Sequence, residues 1–578
     1  MKNEKLNIMR HSVAHLLAAA VLEMFPESKL GTGPATDNGF FYDFLLPRPL
    51  VPEDLLILEK KMKKIKASKL TFQKLEKDIK EAKEFFKKID QPFKLELIEK
   101  LKEQGEEKVS FYQNDKVFVD LCAGPHVDNM SQIGSFKLTH FSGVYWQGDA
   151  KNKQLTRIYG LAFANDKDMR VYEKMIEEAK KRDHRELGKK LDLFSFHEEG
   201  AGFPFWHGKG MILKNTLIDF WRKEHQKEGY QEISTPIILN QELWHKSGHY
   251  DNYKENMYFT NIDERDYAIK PMNCPGGILI FKTKQYSYKD LPLRIGELGL
   301  VHRHELSGVL HGLFRVRSFT QDDAHIYCSE EQIEKELMKV IRLNERIYKK
   351  FDFDFHVELS TRPEKSIGSD KIWNLAEKTL EKVIKSSGLD FEINPGDGAF
   401  YGPKLDFHLK DCLGRTWQCG TLQLDFSMPE RFSLEYVGSD GQKHQPVMLH
   451  RTILGSLERF IGILLENTNG FLPFWLSPVQ SHILPVAEVH QDFAVEILQK
   501  LKEKNIRANI ISSENSLGKR IRETELQRVP LILIIGDKEK ENKSITIRRP
   551  NQKRQEEMKV KDFVSLAQKK NNSLENWD

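Results

Sequence analysis

KPMNCPGG at residues 270–277, VHRHELSG at 301–308 and GLFRVRSFTQDDAH at 312–325 decide how this chain is read. Together they bring Cys274, Arg303, Glu305, Arg315 and His325 into one segment. The two Arg stand twelve positions apart, with Val301 and Val316 close by. That spacing predicts neighbouring antiparallel strands joined by a loop, so that both guanidiniums reach one polyphosphate. A lone Arg on a strand is read as a solvated face residue. An Arg-x-Glu, a second Arg and a Cys/His pair with metal-ligand chemistry in one segment point instead to the floor of a nucleotide-handling site.

A chain of 578 residues, 39% hydrophobic and 10% aromatic, has room for about three to four globular domains. Its 89 Lys and Arg against 85 Asp and Glu leave +4, too little to name nucleic acid as a partner from charge alone. Distribution says more: from Lys500 to Asp578, nineteen basic residues face twelve acidic ones. A basic terminal domain suits a phosphate backbone, and suits a solvated face equally. The five Cys (Cys122, Cys274, Cys328, Cys412 and Cys419) are odd in number and scattered, which argues against a disulfide framework and for a reducing cytosol. The opening MKNEKLNIMRHSVAH has no apolar signal region, and no run approaches about 18 uninterrupted apolar residues. The expectation is a soluble, cytoplasmic protein with no membrane partner.

Taken in order, residues 1–165 form a first unit. Its HSVAHLLAAAVLEMF is a helix that sets His11 and His15 four apart on one face. DNGFFYDF reads as a turn and strand, Val51 to Leu101 as a Lys-rich helical region, and KVFVDLCAGPHV as a strand running into a Gly-Pro turn. Cys122 and His126 then sit where the chain leaves a sheet. Two His on a helix and a Cys-x-x-x-His on a turn make a four-member set with zinc-ligand chemistry, although HxxxH alone is weak. Residues 166–191 are densely charged with a thin apolar stripe, which predicts a helix bridging two domains. The unit at 192–476 opens with an amphipathic helix in MILKNTLIDFWRKEHQK, which Gly229 ends before YQEISTPII. Farther on come Tyr401 and Lys404 in GAFYGPKLDFHL, then RTWQCGTLQLDFSMP, a strand whose Gln418, Thr421 and Gln423 mark a ligand-facing side. In VMLHRTILGSLERFIGILLE, His450 begins a helix, Gly455 permits close backbone approach, and Arg459 points back toward phosphate past Ser456. Residues 477–578 alternate short apolar strands with amphipathic helices, as a mostly parallel sheet covered on both faces does.

These segments resemble motifs 1, 2 and 3 of the class II aminoacyl-tRNA synthetases, in that order, and most closely the threonyl-tRNA synthetase family. The resemblance implies an α+β multidomain chain: an antiparallel sheet core, an N-terminal α+β editing domain and a C-terminal α/β anticodon-binding domain. By match to motifs 2 and 3, Arg303 binds the α-phosphate of ATP, Arg315 and Arg459 the outer phosphates, and Glu305 the adenine edge, while Phe319 stacks on the ring. Lys404 joins the catalytic set, and Gln418, Thr421 and Ser456 the nucleotide set. Cys274, His325 and His450 hold one zinc, with Gln321, Asp323, Tyr401 and Gln423 around L-threonine; magnesium comes with ATP. The editing residues carried over are His11, His15, Tyr42, Lys94, Asp120, Cys122 and His126, with Lys94 as the charged group beside the water.

Motif 1 implies a homodimer, and Glu539 and Arg548 lie on segments suited to an anticodon of tRNA(Thr). Serine differs from threonine by one methyl, worth about 1–3 kcal/mol, so a second, hydrolytic site is required. The match also implies a form without the small ubiquitin-like domain that many members carry ahead of the editing histidines. It departs from the family at Gly277, where His is usual, and at His304, where Asn is common. Three other readings stay in view: a non-catalytic RNA-binding relative, an editing-only hydrolase, and a prolyl or seryl enzyme. The phosphate-binding Arg set argues against the first, the zinc trio against the second, and the trio with the first-unit histidines against the third.

Overall fold

Between Val13 and Val21 only His15 interrupts an apolar run, and a helix that is apolar all round is stable only inside a core. The computed structural model describes residues 2–114, 118–149, 151–411, 414–550, 552 and 555–577. In it the helix Lys2–Met24 is that core element, with Val13, Leu16, Leu17 and Val21 fully buried. It packs on an antiparallel sheet in which Gly39–Leu45 pairs with Gln154–Phe163, and that strand with Ser135–Tyr145. The chain divides into two compact units, Met1–Glu177 and Glu178–Asp578.

The region from Val51 to Leu101 is not helical throughout. Helices Pro52–Ala67, Ile79–Lys88 and Pro92–Glu103 are interrupted by a strand, Phe72–Asp78, that pairs antiparallel with Lys108–Asn114. Its sequence, FQKLEKD, is mostly exposed. A charged edge strand of this kind is specified by its partner rather than by an apolar alternation of its own. The stretch from 166 to 191 is likewise two helices, Asp166–Lys181 and His184–Lys190. Asp183 makes the break, its carboxylate accepting the backbone N–H of Arg185 at 2.8 Å as an N-cap.

The second unit is built on an eight-stranded sheet. Its spatial order is Gln231–Glu232, Leu293–His302, Ser318–Cys328, Val447–Thr452, Thr416–Asp425, Lys404–Lys410, Phe355–Ser360, Phe391–Asn394. The six inner strands are antiparallel, and each outer strand joins parallel. One face is apolar: Leu405, Phe407 and Leu409 are fully buried in a cluster shared with Leu217, Ile341, Leu380 and Leu464 from four helices. By alternation Lys404, Asp406 and His408 face the other way, which leaves that side of the sheet polar.

His450 does not begin a helix. It lies in the strand Val447–Thr452, every residue of which is buried, and the helix starts at Leu457 behind the N-cap Ser456. A short continuous apolar run reads equally as a buried strand or a buried helix. The C-terminal sheet is also more mixed than expected. Ala508–Ile510, Ser481–Pro485 and Leu531–Ile535 are parallel, whereas Ser544–Arg548 and Gln555–Lys559 add antiparallel. Cys412 lies outside the described residues, as do Lys116 and Val117 of the KVFVDLC run, and the other four cysteines are free.

Candidate active site

Register places the central residues of the cleft in one row. His325 pairs across strands with His450, His450 with Gln423, and Gln423 with Lys404, so four neighbouring strands present these side chains side by side. Cys274, the first residue of the helix Cys274–Phe281, closes over the row. Cys274, His325 and His450 are buried, and one donor atom of each lies within 4.8 Å of the others. Among the described residues His325 Nε2 is buried without a hydrogen-bond partner, whereas His450 Nε2 meets Asp425 Oδ2 at 2.8 Å, which leaves its Nδ1 to face a ligand. Burial, with Asp323 and Asp425 nearby, holds the Cys274 thiol well above its usual range. An orphaned imidazole nitrogen, a second imidazole oriented by a carboxylate, and a buried thiol fit a metal of zinc's ligand preference.

Fifteen of the sixteen residues expected here line one cleft of about 530 Å³; His325 sits beneath it, 3% exposed. Arg303 and Arg315 lie just beyond the paired strands, whose register ends at His302 and Ser318. They therefore project from the connecting loop rather than from the strands. Arg303 Nε donates to Pro271 O at 3.2 Å, and its guanidinium stands 5.1 Å from the Phe319 ring centre. Arg315 pairs with Glu305 at 2.9 Å. Arg459 donates from Nε to Phe314 O (2.9 Å) and from Nη1 to Gln418 O (2.6 Å). Burial, with Arg303 and Arg315 close by, pulls Arg459 below its ordinary pKa. Three guanidiniums that repel one another in a cleft are a standing site for a polyanion. Tyr401 donates to Gln423 Oε1 at 2.7 Å. Burial pulls Lys404 down, yet Asp406 at 2.6 Å and Asp397 at 3.1 Å outweigh it and hold the ammonium above its usual value. Asp323, pushed up to about 7 by burial, accepts from Asn273 Nδ2 at 3.2 Å.

Three site residues were not singled out by sequence reasoning. Asp322 accepts the consecutive backbone N–H groups of Ile453, Leu454 and Gly455 at 2.8–3.0 Å and so shapes the turn into the last motif. That turn needs glycine: Gly455 has φ +76°, and a Cβ there would lie 2.5 Å from Cys419 O. Asp425 orients His450. His249 Nε2 lies 3.7 Å from Cys274 Sγ, and burial, with His450 nearby, lowers its pKa to about 3. Asp322 and Asp425 stand inside the quoted TQDDAH and QLDFSMP, beside residues the motifs did mark; HKSGHYDN around His249 carries no such motif.

Near the start of the loop between His302 and Ser318, Lys270 Nζ meets Glu297 Oε1 at 2.9 Å and Thr235 Oγ1 at 2.9 Å, all three groups being buried. Lys270 O also accepts from His302 N, next to Arg303. Lys270→Met strands a buried carboxylate, and a loss of about 3–5 kcal/mol is expected. Thermal unfolding of Lys270→Met beside Lys270→Met with Glu297→Gln measures it, the double variant recovering part of the loss.

In the first unit, the helix and the turn bring the four-member set together. His126 lies 4.2 Å from both His11 and His15 by ring centres, and Cys122 Sγ is 3.4 Å from His11 Nε2 and from His126 Nε2. Beneath them Lys94 pairs with Asp120 Oδ1 at 2.5 Å, and Tyr42 donates to Asp120 Oδ2 at 2.5 Å. Lys94 is 1% exposed, so its charge is matched by Asp120 rather than offered to the cleft. Sequence reasoning missed Ser12, whose Oγ is 3.1 Å from His126 Nδ1, and Phe72, stacked on His126 at 4.9 Å. In the C-terminal domain Glu539 accepts from Gly536 N and Thr546 Oγ1, and Arg548 pairs with Glu525 at 3.0 Å.

Family models match in three places: the tRNA synthetase class II core domain (G, H, P, S and T) over residues 258–468, the anticodon binding domain over 480–570, and the threonyl and alanyl tRNA synthetase second additional domain over 109–159. A threonine–tRNA ligase of Acetivibrio thermocellus is 54% identical over 556 residues, covering 96% of this chain and 87% of its own. The chain belongs to the threonyl-tRNA synthetase family. The Clostridium tetani threonine–tRNA ligase is 53% identical over 557 residues, with the same coverage. The crystal structure of the RNA binding domain of threonyl-tRNA synthetase from Cryptosporidium parvum superposes with a TM-score of 0.66 at 40% identity, over 68% of this chain and 99% of that one. As a threonyl-tRNA synthetase it attaches threonine to tRNA, and its second additional domain is the editing part. Among the described residues, no helix is long and apolar enough to cross a membrane.

Proposed function

We propose that the cleft of the second unit joins threonine to ATP as threonyl-adenylate and transfers it to tRNA(Thr), and that the first unit hydrolyses seryl-tRNA(Thr). The threonine carboxylate attacks the α-phosphate, so negative charge must be held in line while pyrophosphate leaves. Arg303 meets the α-phosphate, Arg315 and Arg459 the outer phosphates that carry magnesium, and Glu305 and Phe319 the adenine. Gln418, Thr421 and Ser456 complete the nucleotide wall, and Lys404 brings a fixed positive charge to the substrate side. Cys274, His325 and His450 hold zinc, which when bound supplies a Lewis-acid position for the substrate's amino and hydroxyl groups. Asp323, Gln321 and Tyr401, with Gln423 behind it, surround the amino acid. Lys94 and Tyr42 fix Asp120 under His15, while His11, His126 and Cys122 border the space for water and ester.

The observation that carries this reading is the row from His325 to Lys404, with an orphaned His325 nitrogen at one end and three converging guanidiniums above it. Met211, Ile212, Ile237 and Ile238, each more than a third exposed on the helix Gly208–Lys227 and the segment after it, support a homodimer. Four free cysteines suit a reducing cytoplasm. ATP–pyrophosphate exchange with threonine, serine and valine, before and after chelation, is the test. Exchange is expected to be strong with threonine, weaker with serine and near zero with valine, and chelation should abolish it. Exchange that is equal for valine, or that survives complete zinc removal, defeats the reading.

A further inference from the structure

Two neighbouring inner strands of the eight-stranded sheet carry a cluster that the threonine and ATP site does not use. His356 and His408 are directly paired across Phe355–Ser360 and Lys404–Lys410, with ring centres 4.9 Å apart. Glu358, two residues along from His356, points from the same face. Its Oε1 is 3.1 Å from His356 Nε2 and its Oε2 3.6 Å from His408 Nε2. One donor atom of each of the three residues lies within 4.8 Å of the others. Two metal–nitrogen bonds of about 2.0–2.1 Å in a tetrahedral site hold their donor atoms roughly 3.3 Å apart, so this spacing needs only small rotamer shifts.

From these positions we infer that His356, Glu358 and His408 form a second divalent transition-metal site, of zinc-like ligand preference, on the polar face of the sheet. The scaffold is rigid, because both strands are inner members of the sheet. Asn394, on the next strand, donates to Glu358 Oε2 at 2.9 Å and fixes the carboxylate from outside, as supporting residues of metal sites do. The side chains are 31%, 21% and 17% exposed for His356, Glu358 and His408, so an ion has a path in and a position left for water. A comparable group, Asp183, His184 and Glu466, differs in kind. There His184 Nδ1 bonds Glu466 and Nε2 accepts from Leu313 N, so both ring nitrogens already have protein partners. The His356 cluster leaves donor capacity facing solvent and takes ions such as Zn²⁺ or Co²⁺.

The test counts metal. The full chain, its His356→Val with His408→Thr variant, and Glu358→Gln are equilibrated at one fixed free zinc concentration, and zinc per chain is measured by mass spectrometry. The double variant is expected to hold one equivalent less than the parent while keeping threonine-dependent exchange, which also shows that it is folded. Glu358→Gln, which replaces the charged ligand by a neutral amide, should lose most of that equivalent at the same free zinc concentration. With Co²⁺, the lost increment should show d–d absorption without thiolate charge transfer, since no sulfur takes part. Equal zinc content in parent and folded double variant overturns the inference, as does a lost increment that carries a thiolate band.

Discussion

Cys274→Ser is expected to release one zinc per chain and to slow threonine-dependent ATP–pyrophosphate exchange about 10²- to 10³-fold, with little change in the unfolding midpoint. The thiol is 2% exposed, and its pKa is held high by burial and by Asp323 and Asp425. Such a sulfur becomes a thiolate only when a cation balances it. Serine keeps the size of the side chain, so the packing around Ile278, Phe281 and Tyr401 survives, but its oxygen is a poor zinc ligand beside thiolate. Asp425→Asn provides the graded control. It leaves every donor in place and removes only the charge 2.8 Å from His450 Nε2, so metal affinity should fall about 10- to 100-fold. Metal counts and exchange rates on the two variants separate the outcomes. Exchange that persists in zinc-free Cys274→Ser protein would mean that Gln321, Asp323 and Tyr401 hold threonine unaided, and the assigned role of the trio would fall.

What the sequence disclosed and what it hid divide along physical lines. The class II core and the flanking domains were legible because their motifs are chemistry: an Arg set for phosphate, Cys and His for metal, and Gly455 at a turn no other residue fits. The row linking His325, His450, Gln423 and Lys404 was not legible, since cross-strand register joins residues that are far apart in the chain. For the same reason His450 read as the start of a helix: VMLHRT is a buried run with no period of its own. Phe72–Asp78 read as helix because Lys and Glu on an edge strand look like a wet helix face. The break at Asp183 is one capping hydrogen bond, and the antiparallel half of the C-terminal sheet follows from the return path after Ile535. Asp425 and His249 act through what they touch, which no spacing rule reports.

His11→Ala is expected to slow seryl-tRNA(Thr) hydrolysis by about 10²- to 10⁴-fold while leaving threonine activation unchanged. The argument rests on protonation state. Burial lowers the pKa of all three imidazoles below the usual 6.5, with His11 and Lys94 adding to it at His15, and His15 and His11 at His126. Burial likewise pushes the Cys122 thiol up to about 11, so no thiolate is available to attack at neutral pH. What remains is a cluster of neutral hydrogen-bonding groups, including a buried His15 Nδ1 with no partner among the described residues, suited to holding a water against an ester. Because the pKa values are lowered, the imidazoles stay neutral to lower pH than an ordinary histidine, and the working form is lost on the acid side of 6.5. The midpoint of the fall in hydrolysis by the parent protein should therefore lie below pH 6.5. A rate that halves near pH 6.5 would identify an ordinary titrating imidazole as general base and defeat the positioned-water reading. His11 suits the substitution because it is only half-buried, whereas Lys94→Met would leave Asp120 unpaired and weaken the fold by about 3–5 kcal/mol. A loss of editing in His11→Ala at unchanged unfolding midpoint thus reports on chemistry, and the same loss in Lys94→Met with a lowered midpoint reports on the support beneath it.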